Sequence, residues 1–454
     1  MNFLYKDNNY FRSFDDLVEK LSDNSIKRRS KNKSTTKFDE GDLQIFQRVS
    51  QNLQKLPKAE ENKYILESLK EDIKLCPMSI SNFVNNYGSI SKYFQDALYQ
   101  PKTPKLLLEV ISSIIEIDDD FSDLFSELID DIFLLIFFKD SAKISAELTI
   151  QIMRYSENGA YNLIYGGLFP KINEALNTMQ DYNTKIISYL IHIIMVSVER
   201  CQNDILEQNQ IELLTLLHRL YFGCTLNHHH QIVFCFRMLL DKTTCRPSYA
   251  IPLKLFEMIV NDFIENPSLE YLLFFNTILK CDNEKENGPM KDTFYLNHQT
   301  IFSIIIKQLQ NQELVKIILR LFSNFSYVER YCQIIFSNNL YIPIFEITLN
   351  DDLPFTLKDD PCVFFCRICS FFPAQITSYQ YFTQLFVITT DAVESLPSKY
   401  LSTSFIQMVE SLDSYIQNTH SQLNIDLVDV LTQIIDSDVP DLSQWASSKL
   451  FTIK

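Results

Sequence analysis

"GGLFPKINEALNTMQDYNTKIISYLIHIIMVSV", Gly166 to Val198, reads as two helices joined by a polar turn. Leu168, Ile172 and Leu176 recur at four-residue spacing, one face of a helix. Pro170 follows an apolar residue and opens that helix, where a missing N–H costs no hydrogen bond. The polar run Asn177–Lys185 breaks the pattern, and Ile186–Val198 resumes it as a segment apolar nearly all round. Such a helix must be covered on more than one side, so its cover comes from elsewhere in the chain.

The sequence supplies that cover by repetition. "LFPKINEAL" at 168–176 is echoed by "IPLKLFEMI" at 251–259 and "YIPIFEITL" at 341–349. Pro170, Pro252 and Pro343 are 82 and 91 residues apart, two units of about 41 and two of about 45. Related helices fill the midpoints: "IELLTLLHRL" from Ile211 and "TIFSIIIKQL" from Thr300. Steps outward of about 41 residues reach "SISKYFQDAL" from Ser89, "IDDIFLLIF" from Ile129, "QLFVITTDAV" from Gln384 and "LVDVLTQII" from Leu427. Each is followed by a second, more apolar helix such as "YLLFFNTILKC" or "VKIILRLFSNFS". Period-two alternation is scarce. The expectation is an all-α solenoid of about nine stacked units, each burying its second helix against its neighbours.

The stretch 166–198 resembles one armadillo repeat, with a Gly and an apolar-Pro pair starting the second helix and a long buried third helix closing the unit. "LVKIILRLFSNFS" resembles the end of an armadillo third helix, with Asn324 where that family often has Asn. The likeness covers residues 79–454 and implies an armadillo/HEAT-type right-handed superhelix. The arrangement of a basic N-terminal run before such a stack resembles importin-α, whose arm can occupy its own cargo groove. That resemblance implies Asn276 and Asn324 as rungs that hold an extended partner. Trp445 is the one tryptophan, so the Trp ladder of importin-α grooves is missing.

The basic run is "SIKRRSKNKSTTKF", 25–38, with Lys27, Arg28, Arg29, Lys31 and Lys33 followed by Lys37. It stands in a chain of net charge −16, so everything else carries −22. Its composition is that of a solvated arm, read as a linker, a localisation signal, or a strand that contacts the acidic body. So acidic a body disfavours nucleic acid as partner. The expected organisation is residues 1–38 as a short helix from Ser13 plus the arm, 39–78 as capping helices, and 79–454 as the repeats.

Other chemistry is disfavoured by what the chain lacks. Seven glycines in 454 residues is about a fifth of the usual share, and no G-x-G-x-x-G or P-loop pattern occurs. Cys362, Cys366 and Cys369 have the spacing of an iron–sulfur ligand set, yet fall at i, i+4 and i+7 of an apolar run, one buried helix face. His228, His229 and His230 lie near Cys224 and Cys235, but adjacent helical residues diverge by about 100° and do not converge on zinc. The ten cysteines mostly sit in apolar helical segments, which fits a reducing compartment, cytoplasmic or nuclear. No stretch spans a membrane, Ile186–Val198 being too short. Acidic segments at 117–123, 282–292 and 350–361 read as loops between units. The expected function is a non-enzymatic adaptor, without cofactor, that binds a protein or peptide along the solenoid. A transport adaptor is the first alternative and a metal- or iron–sulfur-dependent enzyme the second.

Overall fold

The structure is a computed structural model that describes residues 40–453 apart from 59–61, 100–102, 179–183, 225, 281–289, 291, 397, 421–424 and 436–438. The helix expected from Ser13 and the basic run 25–38 lie outside the described residues, as does most of the acidic segment 282–292. Among the described residues every regular element is a helix, with no strand. The chain divides into two compact units, the first up to Ile205 and the second from Leu206.

In the first unit a series of helices runs α1 (Lys63–Leu75), α2 (Pro104–Ile115), α3 (Ala142–Tyr155) and α4 (Thr184–Arg200), and each touches the next. In the second unit α5 (Leu226–Lys242), α6 (Leu269–Lys280), α7 (Gln312–Phe325), α8 (Asp359–Phe371) and α9 (Lys399–Thr419) do the same. From α2 onward these are the second apolar helices of the sequence repeats, while α1 falls in the segment 39–78 expected to cap them. Helices at Leu168–Thr178, Leu253–Glu265, Ile342–Leu349 and Phe382–Ser395 coincide with the Pro-opened echoes and their successors. Pro252 caps its helix and Pro343 sits in the first turn, as the rule for proline requires.

The opening stretch shows how one unit is made. Gly167 takes φ +89, a left-handed conformation that a side chain resists, and so turns the chain from helix Gly159–Tyr165 into helix Leu168–Thr178. Helix α4 then presents Leu190, Ile193 and Val198 with essentially no exposure. Its Ser197 hydroxyl points at the Met153 sulfur of α3, 3.2 Å away.

Many long-range polar bonds join residues roughly one repeat apart. Lys171 pairs with Asp130 and Lys70 with Glu109 in the first unit. In the second, Ser411 donates to the Ser370 carbonyl at 2.8 Å and Lys449 pairs with Asp413 at 2.7 Å. Separations of 36 to 41 residues recur because equivalent positions on neighbouring repeats face each other.

Cys362, Cys366 and Cys369 are wholly buried on α8, and burial pushes the Cys362 thiol up to about 12. They pack the core rather than face a cavity. The acidic segment 117–123 departs from the loop expected of it: residues 119–128 form a tight three-per-turn helix. Ser122, Phe125 and Leu128, three residues apart, thereby share one buried face, and the Asp118 carboxylate accepts the Asp120 N–H at 3.1 Å.

Candidate binding surface on the buried-helix ladder

Polar residues of α5 to α9 link successive helices, exposed at Lys316 and Arg320, half-buried at Glu270, Asn324, Asp360 and Arg367, and buried at Thr277 and Ser404. Lys316, Arg320 and Asn324 of α7 are at i, i+4 and i+8; Asp360 and Arg367 of α8 are seven apart; Glu270 and Thr277 of α6 likewise. Cross-helix bonds tie these residues into one strip, part of it buried. Arg237 of α5 reaches Glu270 of α6 at 3.4 Å, and the Thr277 hydroxyl donates to Asp241 of α5 at 3.2 Å. Arg320 of α7 pairs with Asp360 of α8 at 3.3 Å, and the Arg367 Nε of α8 donates to the Ser404 hydroxyl of α9 at 3.1 Å.

Asn276 and Asn324 fall within this strip and are brought together. The Asn324 amide donates to the Asn276 side-chain oxygen at 2.9 Å, and the Asn276 amide donates to the Ile317 carbonyl at 3.2 Å. Asn276 is buried and Asn324 partly exposed. Lys27, Arg28, Arg29, Lys31 and Lys33 lie outside the described residues.

The electrostatics change along the strip. On α5 and α6, Arg237 faces two carboxylates, Asp241 and Glu270. Burial raises the Glu270 carboxyl, and Arg237 opposes that rise. On α7 and α8 the balance reverses, with Lys316, Arg320 and Arg367 standing against Asp359 and Asp360. Asp360 is likewise raised by burial, with Arg320 and Lys316 opposing. The Arg367 guanidinium also lies over the exposed Tyr327 ring, 4.2 Å from its centre, where the ring face attracts the cation. Lys316 is exposed, and Arg320 keeps 44% of its side-chain surface. A cationic stretch is thus open to solvent on a chain of net charge −16.

Sequence reading missed Arg237, Lys316, Arg320 and Arg367. A signal was present: each lies in an apolar helix, and a carboxylate partner follows Arg237 and Arg320 by 33 and 40 residues. The histidine run has a structural assignment at its centre. His229 Nδ1 bonds Asp262 at 2.7 Å, its ring stacks on Tyr221 at 4.2 Å, and the Tyr221 hydroxyl donates to the same Asp262 carboxylate. That buried trio binds α5 to helices Gln210–Gly223 and Leu253–Glu265. No described helix is long and apolar enough to cross a membrane.

No family model matches the sequence, and no curated protein matches it. Solved structures do resemble the fold. One, a crystal structure of an engineered protein, superposes with TM-score 0.61 at 11% identity over 88% of this chain and 97% of that one. Another, from work on a phosphorylation switch controlling the interaction between cadherin and beta-catenin, gives TM-score 0.60 at 14% identity over 99% and 93%. Beta-catenin is an armadillo solenoid, and the chain has that all-α, armadillo-type architecture.

Proposed function

We propose that the chain is a non-enzymatic scaffold that binds an extended, acidic segment of a partner protein along α7 and α8. The observation that carries this is the cationic stretch Lys316, Arg320 and Arg367 on an accessible edge of an otherwise acidic chain. Packed helices lie about 8–10 Å apart, and an extended chain rises about 3.3 Å per residue. One partner residue in three then meets each successive helix. A carboxylate at that spacing bonds Arg320, then Arg367, with Tyr327 supplying apolar contact between them. The likeness to beta-catenin, a structure concerned with protein partnership, supports a binding role.

A transport adaptor for basic segments is the second reading. It rests on the Asn276–Asn324 pair as a rung and on the arm Lys27, Arg28, Arg29, Lys31 and Lys33 as a strand that occupies the groove. The two readings demand opposite charge in the ligand. Three fluorescein-labelled peptides with glutamate, glutamine or lysine at every third position separate them by fluorescence polarisation. The acidic-partner reading expects the glutamate peptide to bind about tenfold or more tighter than the glutamine peptide. It expects that preference to fade as salt rises from about 0.1 M toward 1 M. Preference for the lysine peptide favours the adaptor instead.

A further inference from the structure

A concave site lies in the first unit. Where α3 gives way to helix Gly159–Tyr165, and where α4 ends, the surface forms a cleft of about 210 Å³ whose lining runs through Glu157, Asn158 and Tyr161 on one side and 200–202 with Ile205 on the other. The chain approaches closely here: a Cβ on Gly159 would sit 2.7 Å from the Ile152 carbonyl oxygen, so only glycine brings Asn158 and Tyr161 this near the end of α3. Tyr161 is stacked on Tyr165, ring centres 5.7 Å apart, and the two are 41% and 80% exposed.

The polar groups of this cleft are uncommitted. The side chains of Glu157, Asn158, Tyr161, Arg200 and Gln202 make no hydrogen bond or ion pair with any described residue. Other polar groups of the unit are spent, among them Lys70 on Glu109, Lys171 on Asp130, Asn162 on the Ser126 carbonyl and Ser156 on Asp123. A guanidinium, two amides and a phenol converging on one hollow, beside an aromatic shelf, have the composition of a small-ligand site.

We infer that this cleft captures the C-terminal residue of a partner protein. Arg200 receives the terminal carboxylate through paired N–H donors, the geometry that guanidinium and carboxylate share. The amides of Asn158 and Gln202 supply further donors to carboxylate and last carbonyl. Glu157, the one anion in the lining, accepts the last peptide N–H. The final side chain lies against the Tyr161 and Tyr165 rings, which favours an aliphatic or proline-flanked terminus. Charge complementarity selects the occupant: Arg200 and Glu157 are each without an ion-pair partner among the described residues, and a chain end brings both the carboxylate for the first and a peptide N–H for the second. Its size suits one chain end rather than a long segment.

The test uses the full-length protein and a fluorescein-labelled peptide, Gly-Gly-Ser-Ala-Pro-Leu, with a free C-terminal carboxylate. A second copy has the C-terminus amidated, and a third is amidated but carries glutamate in place of serine. The free-acid peptide is expected to bind, and amidation to weaken binding about tenfold or more. Arg200→Gln is expected to abolish the difference between free and amidated peptides, Arg200→Lys to keep part of it, and Tyr161→Ala to weaken both. Arg320→Gln on α7 leaves all of these values unchanged, which separates this site from the ladder edge. Unchanged helical circular dichroism shows that each variant is folded. Equal binding of acid and amide, restoration by the internal glutamate, or no binding by wild type at millimolar peptide overturns the proposal.

Discussion

Glu270 is a half-buried carboxylate whose proton is held more tightly in the fold than in the open chain, because burial disfavours its charged form more than Arg237 favours it. A carboxylate raised in this way contributes stability that is full below its unfolded value and is lost as pH climbs through the folded one. Glu270→Gln has no such titration. The unfolding free energy of the variant, minus that of wild type, therefore moves in the variant's favour as pH rises from about 4.5 toward neutrality, then levels. Urea titrations at several pH values measure it; a difference that moves the other way contradicts the assignment. Residues of this kind were hard to read from sequence. Arg237 and Glu270 are 33 positions apart, and nothing local marks them as a pair until the repeat brings α5 beside α6. Lys316, Arg320 and Arg367 carry no local mark either, because an isolated charge in an apolar helix has the pattern of a solvated face. The Cys362, Cys366, Cys369 face was legible, since i, i+4, i+7 spacing in an apolar run has one meaning.

At the scale of elements, the repeated helices were legible because their periodicity is local and strong. The helices starting at Leu168, Leu253, Ile342, Phe382 and Leu427 lie within two residues of the echoes that announced them. The tight helix 119–128 was not, since four aspartates in seven residues mask the three-residue spacing of Ser122, Phe125 and Leu128. What holds neighbouring elements is aromatic packing across repeats. Phe364 of α8 is fully buried and meets Phe322 of α7 at 5.7 Å and Phe345 of helix Ile342–Leu349 at 6.0 Å, both edge to face. Phe364→Ala removes both contacts and leaves a cavity, so it should cost about 3–5 kcal/mol. In a stacked array that loss is felt by neighbours first. Hydrogen exchange followed by mass spectrometry is expected to show faster exchange in α7, α8 and α9 and little change in α1 to α3; a uniform rise along the whole chain would count against nearest-neighbour stability.

At the scale of the molecule, repetition explains both fold and surface. One unit's apolar third helix cannot be covered by its own partners, so units stack. Stacking sets equivalent edges side by side, and a charge that recurs from helix to helix becomes a strip able to follow an extended chain. The expected organisation into arm, capping helices and repeats gives such a strip one further prospective occupant, the basic run 25–38, but its charge matches the acidic remainder of the body better than Lys316, Arg320 and Arg367. The clustering of the chain into units before and after Leu206 places the strip in the second and the proposed carboxylate cleft in the first.

The most direct test of the central claim is a charge exchange on the strip. In the double variant Arg320→Glu, Arg367→Glu, the edge of α7 and α8 changes sign while the buried faces keep their residues. Fluorescence polarisation at about 0.1 M salt, where charges within about 10 Å still interact, compares this variant and wild type against the glutamate and lysine peptides. The account predicts that wild type binds the glutamate peptide, that the variant loses it by about tenfold or more, and that the variant gains the lysine peptide in its place. Undiminished binding of the glutamate peptide by the variant would contradict it.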